Sequence, residues 1–142
     1  MTLNFKYKLL HHSDGSISKV PLVPITLVGK EIITAYGLVD SGSDTCAISQ
    51  NMAELLGIHL AGKREKSFGI GGAVESVLSG VTIFLRQGRE KYKLHVPVRV
   101  ILKPHDFPVI LGQESFFDQF IISFDRKNEH FSLKRHGVFF PL

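Results

Sequence analysis

Asp40-Ser41-Gly42 is the segment of this sequence with the clearest capacity for chemistry. Asp40 closes an apolar run, Leu38-Val39, where an ionised carboxylate is costly unless hydrogen bonds, a partner or a reaction compensates it. Gly42 permits a backbone path that other residues resist, and the resulting turn can aim amide N–H groups at the carboxylate. Ser41 adds a hydroxyl that can brace the loop. A carboxylate held this way is suited to acid–base work on a water molecule. The same tripeptide is also ordinary turn chemistry at a strand end, so its context must decide.

Other chemistries find less support. The phosphate-loop pattern GxxxxGK[ST] is absent. Gly69-Ile70-Gly71-Gly72 lacks the third glycine of GxGxxG, because position 74 is Val74. Asp44 has no His or further carboxylate at ligand spacing, and His11, His12, His95, His105, His130 and His136 show no metal pattern. No metal and no cofactor are expected. Cys46 reads as a small buried residue, since a catalytic thiol would need a His partner.

The elements that must position Asp40 are mostly strands. Residues 5–10 alternate apolar and basic side chains. Residues 20–28 and 31–39 are rich in β-branched residues and flank Gly29-Lys30, which predicts a hairpin. Pro21 and Pro24 place the first of these strands at a sheet edge or a bulge. Residues 76–85 and 91–102 form a second pair, joined near Gln87-Gly88. Residues 121–124 and 129–134 form a third, turning over 125–128. A short helix is expected after Ser49, a good N-cap, ending before Gly57. Met52, Leu55 and Leu56 would share its apolar face. A second helix is expected after Gly112, with Phe116, Phe117 and Phe120 as its stripe and Glu114 in its first turn. Leu38-Val39-Asp40-Ser41-Gly42 and Val109-Ile110-Leu111-Gly112 are both apolar strands running into a glycine and then a helix. They suggest a weak internal repeat of about 70 residues.

With these parts in order, residues 37–45 resemble the active-site loop of retropepsin-like aspartic peptidases, the single-domain relatives of retroviral proteases and pepsin. Further likenesses are Ala47-Ile48-Ser49 with its helix, Val109-Ile110-Leu111-Gly112, and the segment 120–125. The resemblance covers roughly residues 20–135. It implies a mainly β, closed or orthogonal barrel-like acid-protease fold with one or two short helices, one lobe per chain. Asp40 would be the catalytic carboxylate, with Ser41 and Gly42 in its loop. Gly69, Ile70, Gly71 and Gly72 would be a substrate-covering flap. The mechanism requires two carboxylates, and this chain has one such loop, so the resemblance implies a homodimer acting on a peptide or protein substrate. Ser41 would brace the two loops across the axis. The apolar segment 138–142 would build a dimer sheet or pack on its own domain. A catalytically inactive peptide-binding or dimerisation module on the same fold is the alternative.

Bulk properties narrow the rest. The chain has 142 residues, enough for one domain spanning 1–142. With 44% hydrophobic and 21% charged residues it is not a disordered chain. Trp is absent and Phe numbers 11, so Phe must supply the large core side chains. The net charge of +4 is scattered. Its densest groups, Lys63-Arg64-Lys66 and Lys134-Arg135, fall short of the about five or six like charges of a nucleic-acid arm. Neither nucleic acid nor membrane is expected as a partner, since no apolar run approaches the ~18 residues of a span. One cysteine excludes an internal disulfide. No signal-peptide pattern is seen, so a cytoplasmic location is the expectation.

Overall fold

The computed structural model describes residues 2–69, 72–103 and 106–137. Its centre is a closed six-stranded β-barrel. The barrel strands are β4 (Leu22–Val28), β5 (Ile32–Val39), β6 (Cys46–Ser49), β8 (Gly72–Gln87), β9 (Glu90–Ile101) and β10 (Val109–Leu111). The order around the barrel is β4-β5-β10-β6-β9-β8, and pairing of β8 back onto β4 closes it. Strand β7 (Arg64–Gly69) extends the sheet outward by pairing with the first residues of β8.

Period-2 patterning explains the closure. Val23, Ile25 and Leu27 of β4 and Leu94, Val96, Val98 and Val100 of β9 are buried, while the residues between them are more exposed. Each buried Val, Leu or Ile contributes roughly 1.5–3 kcal/mol relative to exposure. Pro24 fits because β8 pairs only with Ile25–Val28 of β4. The proline, which has no N–H to offer, lies where β4 has β5 alone as neighbour.

Outside the barrel, β1 (Thr2–Lys6), β12 (His130–Arg135) and β11 (Phe120–Asp125) form a three-stranded sheet in the order β1-β12-β11. Leu3, Phe131, Leu133 and Phe120 carry it onto the core. Residues 5–10 are therefore not one strand. The chain leaves β1 at Lys6 and starts β2 (Lys8–His11), which pairs with β3 (Ile17–Val20) as a separate hairpin. Alternation continued across Tyr7, but the pairing partner changed.

The helix after Ser49 forms as α1 (Gln50–Leu55). Ser49 Oγ accepts from Met52 N at 3.2 Å, a cap worth about 1 kcal/mol. Its buried side is Ala53 with the C-cap Leu56, whereas Leu55 is 52% exposed. Met52 packs against the core with them, so two of the three residues of the expected face hold and Leu55 alone turns to solvent. The second helix does not form as an α-helix; only a 3-10 turn over Phe117–Gln119 is present. Ser115 takes a left-handed conformation at φ 72°, which breaks the α path. Asp118 Oδ2 then accepts from Ser115 N at 3.1 Å, and Gln119 Nε2 donates to Ser115 O at 2.7 Å. Phe116 and Phe120 are still buried, so the apolar stripe reported burial rather than helicity. Among the described residues, no helix is long and apolar enough to cross a membrane.

Candidate active site

Strand β5 delivers Asp40 to one end of the barrel. Strand β10 runs parallel to β5 with Val109, Ile110 and Leu111 opposite Gly37, Leu38 and Val39. The two apolar segments of the internal repeat therefore lie side by side. Gly37 permits this closeness, since a Cβ there would stand 2.6 Å from Leu111 Cδ1. Beyond the strands, Asp40 N donates to Leu111 O at 3.0 Å.

The loop after Asp40 turns back on the carboxylate. Gly42 N donates to Asp40 Oδ1 at 2.9 Å, and Ser43 N donates to Asp40 O at 3.2 Å. Gly42 does not use a left-handed conformation, contrary to the conformational role expected for it. Its lack of a side chain leaves room instead, because a Cβ would meet Asp40 Oδ1 at 3.3 Å. Asp40 is half-buried, and among the described residues its Oδ2 accepts no hydrogen bond. Ser41 is exposed, and its hydroxyl has no partner among the described residues.

The loop is held from outside by residues far along the chain. Gln113 N donates to Ser43 O and Glu114 N to Asp44 O, both at 2.9 Å. Gln113 Nε2 donates to Ser41 O at 2.7 Å. Gly112 makes the approach possible: a Cβ there would lie 2.7 Å from Ser43 O and closer still to Thr45 O. Sequence reasoning missed Gln113 as a brace. Its only signal was its place directly after the glycine of the second apolar segment.

Cys46 closes the same junction from the interior. It is fully buried, Gly112 N approaches its Sγ at 3.4 Å, and Sγ lies 3.8 Å from Glu114 O. Burial pushes the thiol up from its ordinary value, the Gly112 N–H pulls it partly back, and nearby Glu114 raises it further. Cys46 is accordingly a packing residue with a poor thiolate. In the folded protein it is expected to resist a thiol-reactive dye at neutral pH and to react fully once unfolded. Fast labelling of the native protein would contradict the buried placement.

An open cleft of about 550 Å³ lies beside Asp40. The loop lines it with Asp40, Gly42 and Asp44, and the β7–β8 hairpin with Ser67, Gly72 and Val74. The end of β9 and its continuation line it too, with Arg99, Ile101 and Lys103. Strand pairing sets Gly69 opposite Gly72 at the hairpin's outer end. Ile70 and Gly71 of the expected flap lie outside the described residues, as does the segment 138–142. A second concavity, of about 500 Å³ near Gly29 and Leu56, has one titratable side chain, His95, bonded through Nδ1 to Thr82 Oγ1 at 2.9 Å. Among the described residues, no group of three or more His, Cys, Asp or Glu could hold a metal ion.

No protein-family model matches the sequence, and no curated protein does. Solved structures do. The crystal structure of a retropepsin-like aspartic protease from Rickettsia conorii aligns over 94% of this chain and 98% of that one, with TM-score 0.58 and 17% identity. The chain has the retropepsin-like fold. EIAV protease complexed with the inhibitor HBY-793 aligns over 68% of this chain and 84% of that one, with TM-score 0.43 and 23% identity. Within the retropepsin-like fold of this chain, Asp40, Ser41, Gly42, Gly69 and Gly72 are gathered at one end of the barrel, around or beside the cleft.

Proposed function

We propose that this protein is an aspartic endopeptidase that works as a two-fold symmetric homodimer, with Asp40 of each chain facing the other across a single water. The observation that carries this is the state of Asp40. One carboxylate oxygen is fixed by Gly42 N–H, the other is unbonded among the described residues, and the group lines an open cleft of about 550 Å³.

Two carboxylates about 3 Å apart cannot both ionise, so the pair holds one proton between them. The ionised member takes a proton from the water as its oxygen attacks the scissile carbonyl carbon. The protonated member donates to the carbonyl oxygen as that oxygen gains charge. As the tetrahedral intermediate collapses and the C–N bond breaks, the carboxyl that took the water's proton passes it to the departing amine, and the other carboxylate takes a hydroxyl proton from the intermediate, which restores the shared proton. The pair titrates as a unit, and neither Asp40 owns a separate value.

One chain is insufficient for this chemistry. The segment equivalent to the Asp40 loop ends in Leu111-Gly112 and carries no acid there. The exposed Ser41 hydroxyl is available to bond across the axis and align the two loops. The β7–β8 hairpin, with Gly69 through Gly72 at its end, would cover a bound peptide as a flap, with Ile70 offering an apolar contact.

The test is cleavage of a mixed peptide library from mildly acidic to neutral pH over a dilution series of the protein. Products are expected, and activity per chain should fall on dilution as the dimer dissociates. Activity per chain that stayed constant down to concentrations where sedimentation shows only monomer would rule out the shared site. Absence of products at all concentrations, with a dimer present, would leave a peptide-binding module.

A further inference from the structure

We infer that the β9 wall of the cleft selects peptides carrying an acidic side chain. This rests on the proposal above only in taking the cleft as the peptide site. Residues 99, 101 and 103 share one parity along β9 and its continuation, and all three line the cleft. Arg99 stands beside Ala47 of the loop-side strand β6, which brings the cation close to the Asp40 loop.

Arg99 is 23% exposed, and its Nη1 donates to Glu65 Oε2 at 2.9 Å. A guanidinium carries five N–H donors in a planar fork. The single bond to Glu65 orients the group and leaves donors for a second carboxylate, which the fork can hold in two parallel hydrogen bonds. Lys103 is exposed and has no ion pair among the described residues, so it adds a positive charge to this wall. Ile101, between them, offers apolar contact for the methylenes of a Glu side chain. The loop side of the cleft bears Asp40, which is half-buried, and Asp44, which is exposed. Glu65 offsets much of the charge of Arg99, so Lys103 sets the net positive charge of the β9 wall, while Arg99 supplies oriented donors. The cleft is therefore polarised, and an acidic side chain lodged on the β9 wall is favoured there over a neutral or basic one.

The test uses peptide sets identical except for Glu, Gln or Lys at each position flanking the cleaved bond. The parent protein should prefer Glu over Gln at one position by roughly tenfold in kcat/KM. Lys103→Glu changes an exposed residue and should lower the ratio of kcat/KM for the Glu peptide to that for the Gln peptide. Arg99→Gln should lower it further. Cleavage with no charge preference, or a preference unmoved by either substitution, would overturn the assignment while leaving the peptidase standing. Binding of the same labelled peptides to Asp40→Asn supplies an arm independent of catalysis. Tighter binding of the Glu peptide there, weakened by Lys103→Glu, supports the assignment even if the parent cuts nothing, in which case the peptidase reading fails alone. Equal binding of the Glu, Gln and Lys peptides would overturn the assignment.

Discussion

Asp40→Asn is expected to abolish peptide cleavage, by on the order of 10³-fold or more, while fold and association persist. Asparagine keeps an oxygen to accept the Gly42 N–H, and it is close to isosteric with Asp, so the loop has no cause to move. What it lacks is basicity. An amide cannot take a proton from the attacking water, and a dimer with two such amides has no carboxylic acid to protonate the carbonyl oxygen. Asp40 is half-buried and forms no ion pair among the described residues, so little stability is at stake. Circular dichroism and melting should match the parent. A variant that cleaved as fast as the parent would disprove the proposed role of Asp40.

Gly112→Ala is expected to damage the fold and the site together. The added methyl would press on the backbone carbonyls of Ser43 and Thr45, neither of which can rotate aside. Overpacking against side chains typically costs about 1–3 kcal/mol. Against backbone we expect the upper end, roughly 3 kcal/mol, or about 10 °C in Tm for a domain of this size. Any relief must move 43–45 away from 112–114. That would break the bonds from Gln113 and Glu114 and release the loop bearing Asp40. Gly80→Ala is the matched control. Its Cβ would meet only Val96 O at 3.8 Å, an ordinary contact, so its melting temperature should stay near the parent's. If the two variants melted alike, the close approach at Gly112 would be disproved.

What the residues disclosed in advance was mainly local. The hairpins near Gly29, Gln87 and residues 125–128 announced themselves by β-branched runs meeting turn residues, and each forms within a few positions of its expected place. The Asp40 loop stood out because a carboxylate ended an apolar run. The parallel pairings of β10 with β5 and of β6 with β9, and the closure of β8 onto β4, left no such trace. They join segments far apart in sequence, and period-2 alternation records which side of a strand is buried, not which strand covers it. The same limit explains the missed break at Tyr7. The apolar spacing of Phe116, Phe117 and Phe120 fitted a helix, yet a left-handed residue at Ser115 decided the local path. Arg99 and Lys103 looked like scattered surface charge until the strand set them on one wall of the cleft.

The bracing of the Asp40 loop also bears on when the site comes into being during synthesis. Leu111 O, the Gln113 and Glu114 amides and the Gln113 side chain all hold a loop that was translated some 70 residues earlier. A ribosome-bound chain that has emerged only as far as β9 has Asp40 but none of its anchors. Domains assemble from contacts whose sequence separation delays them, and here the last anchors are also those that shape the carboxylate turn. A chain lacking residues 111–114 therefore holds a slack Asp40 loop, and the proposed hydrolytic capacity would switch on only once those residues have emerged and docked.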